Sequence, residues 1–226
     1  MNAPMTRRDA EFTRLFSADA TGALIDPHGR TRALVLDWPA PADWAAMGTL
    51  WRGVQDTLGW PAPAIAVSGD ALQLWFSLAE PVDAATAQAL LAALRERFLP
   101  ASQAARVGGW PRDGQAAPRP GAVLPGEDRW SAFVAPDLAP LFAQTPWLDV
   151  PPGDDGQATL LAGLGSVSAD RLTPLQPTAQ PAATAVTAVT AVTAATDPRA
   201  FLLQVMNDPA VPLALRIDAA KALLPR

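Results

Sequence analysis

Ala64-Ile-Ala-Val-Ser-Gly-Asp-Ala-Leu-Gln-Leu-Trp-Phe-Ser-Leu78 reads as two apolar strands joined by a tight turn at Ser68-Gly69-Asp70. Glycine supplies the positive φ such a turn needs, and aspartate bonds its own backbone there. Successive side chains of a strand point to opposite faces, so Trp75 and Phe76 cannot share one. The hairpin places one strand pair at the centre of the chain, and the neighbouring segments are read against it.

Upstream, Phe12, Leu15 and Phe16 recur at helical spacing within Arg7–Ser17, which predicts a short amphipathic helix. Ala23–Asp26 and Arg32–Trp38 read as strands around a Pro27-His28-Gly29 turn. Trp44, Met47, Trp51, Val54 and Leu58 form an apolar stripe, so 42–58 is predicted helical, with Gly59 as its C-cap. Downstream, Asp83 is an N-cap for a helix over 84–98 with the stripe Ala87, Leu90, Leu91, Leu94 and Phe98. Arg106–Trp110, Ala122–Leu124 and Trp130–Val134 read as strands, 111–121 as a loop, and Pro136–Phe142 and Thr159–Leu164 as short helical turns. The order β-β-α-β-β-α-β-β predicts an α+β fold: a mostly antiparallel sheet with helices packed on one face.

The chain divides into an N-terminal helix (1–19), the α+β core (20–165), a linker (166–196) and a helical tail (197–226). Residues 174–196 are mostly Pro, Thr, Ala and Val and carry no charge, and Thr184–Thr193 is a triplet repeat that fits neither a helix face nor a strand face. Asp197-Pro198 opens the tail as N-cap and first helical residue. Its apolar positions Phe201, Leu202, Val205, Leu215 and Ile217 are too few to form a core and predict a partner-binding face.

Composition excludes several chemistries. The 226 residues carry a formal net charge of −5, so no basic face of the kind a sequence-independent duplex binder needs is evident overall. Lys221 is the one lysine, and the preference for arginine reads as codon bias. Without cysteine there is no disulfide, thiolate metal site or cysteine nucleophile. The single histidine, His28, lies in a turn and reads as solvated. No signal-peptide run and no stretch of about 18 apolar residues is present, so a cytoplasmic protein without membrane association is expected. One window is positive: six arginines (95, 97, 106, 112, 119, 129) stand against four acids between Arg95 and Arg129, a net of +2. It reads as a solvated face or, alternatively, as a strip that touches nucleic acid.

Between Leu34 and Trp110 the residues resemble the catalytic core of the archaeo-eukaryotic primase superfamily, the primase-polymerases. Leu34-Val-Leu-Asp37 is similar to the first half of that family's apolar-apolar-Asp-x-Asp motif. Ser68-Gly-Asp-Ala-Leu-Gln-Leu-Trp75 is similar to its Ser/Gly-rich turn and following strand, and Arg106-Val-Gly-Gly-Trp-Pro111 to its downstream Arg-x-Pro-Gly element. The resemblance covers about a third of the chain. It implies an RRM-like sheet, a vestigial catalytic Asp37, and nucleotide or nucleic-acid contacts from Ser68, Gln73, Trp75, Arg106 and Trp110; Arg112, in the positive window, is a further contact candidate. Two departures bear on the chemistry. Pro39 stands where the second Asp is expected, and Gln73 stands where the family's phosphate-contacting His is expected. Polymerase chemistry needs carboxylates to hold two divalent ions about 4 Å apart. The expectation is therefore a degenerate core with no metal site and no cofactor; magnesium or manganese would enter only if the core were active.

The tail carries a second resemblance. Val205-Met-x-Asp-Pro209 followed by Leu215-Arg-x-x-Ala-Ala-Lys-Ala222 is similar to a segment of phage small-terminase-like proteins. It implies a phage or prophage accessory protein, or alternatively a non-enzymatic adaptor in DNA packaging. A generic helical hairpin is the other reading of the same residues.

Overall fold

The computed structural model describes residues 5–19, 21–112, 118, 120–124, 128–173 and 175. The linker over 176–196 and the tail residues Phe201, Leu202, Val205, Leu215 and Ile217 lie outside them.

The first element is α1 (Arg7–Phe16), started by a capping box in which Thr6 and Asp9 bond each other's backbone N–H. Then come β1 (Arg30–Pro39), α2 (Trp44–Leu58), β2 (Ala64–Val67), β3 (Ala71–Asp83), α3 (Ala84–Phe98), α4 (Ala101–Ala104) and β4 (Gly108–Trp110). The chain continues through β5 (Ala132–Val134), a 3₁₀ turn (Ala139–Phe142), α5 (Asp154–Ala162) and α6 (Ala169–Leu172). α3 starts where its cap predicts: the Asp83 carboxylate accepts from the Thr86 N–H at 2.7 Å. α2 ends as predicted at Gly59, in the left-handed region at φ 63°. Two expected strands are absent. Ala23–Asp26 contributes one bridge, Ile25 to Thr31, because the Asp26 carboxylate binds the His28 and Arg30 N–H groups and closes a turn instead. Ala122–Leu124 likewise contributes a single bridge, Val123 to Trp130.

The sheet has five strands in the order β4-β1-β3-β2-β5, every neighbouring pair antiparallel. β1-α2-β2-β3-α3-β4 in the order 4-1-3-2 is the split βαβ arrangement, with β5 added outside β2. Leu34, Leu36, Trp38, Leu72, Leu74 and Phe76 point to one face and pack on Met47, Leu50 and Val54 of α2 and Leu90, Leu91 and Leu94 of α3. The α+β class and the antiparallel sheet match the expectation; the confinement of helices to one face does not. Ala33, Val35 and Trp75 point the other way and lie with Leu15 and Phe16 of α1, Phe133 of β5 and Leu161 of α5. Both sets of strand positions are apolar, so both faces need a cover.

α5 is fixed to the sheet by a side chain. The Gln157 amide accepts from the Phe133 N–H at 2.8 Å and donates to the Phe133 carbonyl at 2.9 Å. It thereby satisfies the outer edge of β5 at that residue. The core also runs past the expected boundary at 165. Val167 bridges Leu78 in parallel, the Trp60 indole donates to the Arg171 carbonyl at 2.9 Å, and Leu172 and Leu175 are buried.

Candidate functional site

Along β1 and β3 the side chains on the α1/α5 face run Ala33, Val35, Asp37 and Ser77, Trp75, Gln73. The antiparallel register pairs Val35 with Trp75 and Asp37 with Gln73. The helical cover encloses Val35 and Trp75. One step further along, Asp37 and Gln73 line a cavity of about 800 Å³. Its rim is the β2–β3 turn (Ser68, Asp70), the two ends of β4 (Arg106, Gly108, Gly109, Arg112), and Pro118, Pro120, Ala122, Leu124 and Ser131.

A directed chain of hydrogen bonds lies in the floor. The Trp75 indole Nε1–H donates to Gln73 Oε1 at 2.9 Å, and Gln73 Nε2 donates to Asp37 Oδ1 at 2.7 Å. Burial pushes the Asp37 carboxyl above the usual carboxylate range. Asp70 adds to that rise, whereas the Gln73 N–H and the Arg112 charge oppose it. In the turn, the Ser68 hydroxyl is within 3.0 Å of Asp70 Oδ1 and 3.1 Å of the Ala71 carbonyl. Gly69 has φ 104°, so the backbone favours glycine there, and a Cβ would also lie 2.8 Å from Leu124 Cδ1, which would have to move aside. Gly108 leaves room beside Asp37: a Cβ would sit 3.6 Å from Oδ2.

Five residues singled out from the sequence meet here: Asp37, Ser68, Gln73, Arg106 and Arg112. Two do not. Trp75 and Trp110 are 0 % and 1 % exposed, so neither has a free ring face on which a base would stack. The Trp75 ring is packed edge-on against Phe16 and Phe133, with centroids 5.1 and 5.8 Å away. The arginine window is not one strip either. Arg95 donates to the Val107 carbonyl at 2.8 Å, Arg97 lies over Phe98 and Arg129 lies over Trp147. Arg106 and Arg112 line the cavity and are exposed, and neither forms an ion pair among the described residues. Asp70 is the residue that sequence reasoning missed. It reads as turn chemistry, and only the β1–β3 register, with Pro39 opposite Ala71, brings the turn beside Asp37.

The divalent ions that the primase resemblance would bring with activity do not fit this donor set. Asp37 Oδ1 is committed to Gln73, Asp70 Oδ1 to Ser68, and Pro39 offers no ligand. Among the described residues no group of three or more His, Cys, Asp or Glu side chains is arranged to hold a metal. No described helix is long and apolar enough to cross a membrane. Compared with known proteins, the chain matches no family model and no curated sequence.

Proposed function

We propose that this is a phage- or mobile-element-type accessory protein whose primase-like core binds the phosphates of a nucleic acid in this cavity and does not extend it. The observation that supports the reading is the convergence of Asp37, Ser68, Gln73, Arg106 and Arg112, distant in sequence, on one open cavity of the sheet. Two exposed guanidiniums supply the cationic donors that phosphate binding uses. The donor set argues against polymerisation: one carboxylate is partly buried and held by Gln73, and its family partner position is Pro39. The packaging-adaptor reading rests on the sequence of 197–226 alone.

The test is fluorescence anisotropy with a labelled short single-stranded DNA over a range of salt. Binding should be weak and salt-sensitive. The double substitution Arg106→Ala, Arg112→Ala should lower the slope of log K against log salt by about 1–2. An unchanged slope, or no binding at low salt, contradicts the proposal. A primer-synthesis assay with magnesium or manganese should give no product, and product lost on Asp37→Ala would contradict the non-catalytic reading.

A further inference from the structure

The buried Trp75 is 0 % exposed, yet its one polar atom is directed along the sheet to Gln73. An indole N–H can only donate, so the Gln73 atom facing it must be the carbonyl oxygen. The amide nitrogen is then the end that meets Asp37, and a nitrogen bearing two hydrogens can only donate. The direction of the whole chain, Trp75 to Gln73 to Asp37, is set at its buried end.

We propose that Trp75 is a positioning residue for the cavity: acting through Gln73, it holds Asp37 as a hydrogen-bond acceptor with Oδ1 committed and Oδ2 left for an N–H or O–H donor on the ligand. Oδ2 lies on the side of Gly108, where no side chain intervenes. With Arg106 and Arg112 on the rim, the cavity then fits a ligand carrying both a phosphate and a hydrogen-bond donor. If the amide were reversed, its carbonyl would oppose the carboxylate, and Asp37 would meet the same neighbour as a protonated donor. The inference rests on the functional reading above only in taking the cavity to hold such a ligand; its test needs no ligand.

The test is the titration of the Asp37 carboxyl followed by carbon-detected NMR in the full chain. Trp75→Phe keeps an aromatic ring and removes the N–H. It should move the Asp37 titration upward, because the amide is no longer locked with its N–H toward the carboxylate. The same substitution in the Gln73→Met background should leave the titration of that background unmoved. Equal shifts in both backgrounds, or no shift in either, would overturn the proposal, since a purely packing role does not act through the amide. A second measurement does not depend on the Trp75 variant folding. Gln73→Met alone should raise the Asp37 titration and shift the Trp75 indole N–H resonance. An indole resonance that ignores Gln73→Met also overturns it.

Discussion

One face of the sheet has two halves that differ in almost every property. Around Val35 and Trp75 it is dry: Leu15, Phe16, Phe133 and Leu161 close over it. Around Asp37 and Gln73, one register step along the same two strands, it opens into the cavity with two carboxylates and two arginines on its walls. Strand alternation chooses the face, and the reach of α1 and α5 chooses which half stays open. The site is made by where a cover stops as much as by the residues beneath it. The Trp75–Gln73–Asp37 chain joins the two halves, so the dry half orients a group in the wet one.

The largest effect should come from the dry half. Trp75→Ala removes a fully buried ring packed against three phenylalanines and strands the Gln73 carbonyl. A loss of about 3–5 kcal/mol is expected in denaturant unfolding. A loss below about 1 kcal/mol would mean that α1 does not cover this half in solution.

The next effect belongs to the turn at the edge of the open half. Gly69→Ala forces a side chain into a left-handed conformation and against Leu124. It should cost about 1–3 kcal/mol, measured as a fall in the urea midpoint. Wild-type stability in that variant would show that the turn differs from the one described.

How much of this was legible in the chain follows from the range of each signal. α3 and the Gly59 end of α2 were readable because caps and stripes are local. Asp37, Ser68, Gln73 and Arg106 were readable because short motifs carry them, and Arg112 because it falls in the one positive window. The burial of Trp75 and Trp110 was not, since period-2 alternation gives the face of a strand and says nothing of how far helices distant in sequence reach across it. Asp70 was hidden for a related reason: its nearness to Asp37 is a property of strand register. The extension of the core to Leu175 rests on the Leu78–Val167 bridge, the Trp60 indole bond to the Arg171 carbonyl and the burial of Leu172 and Leu175, long-range contacts that leave no periodic trace.

A smaller effect, of opposite sign, is expected in the open half. The folded state raises the Asp37 carboxyl above its ordinary value of 3.8, so ionised Asp37 destabilises the fold. That penalty is fully present above the folded value and disappears as pH falls through it toward 3.8. Asp37→Asn, whose amide oxygen still accepts from Gln73, should therefore stabilise the protein at neutral pH. Its advantage should shrink as the solution is acidified, read as the difference in melting temperature between the two proteins across pH. An advantage that grows on acidification would reverse the sign of the argument.

The smallest effect on stability is expected from the rim. Arg106→Ala and Arg112→Ala remove exposed side chains without ion-pair partners among the described residues, and should each change unfolding free energy by less than about 0.5 kcal/mol. A larger loss would make these arginines part of the scaffold.

The contrast between the halves is tested most directly by two-dimensional NMR of the labelled full chain titrated with a short single-stranded DNA. Binding in the open half should gather shifts at Ser68, the Gln73 side-chain amide, Gly108, Gly109 and Arg112, with Leu50, Leu90 and Leu94 of the opposite face unmoved. Shifts centred on α2 and α3, or none in the cavity at saturating DNA, would contradict it.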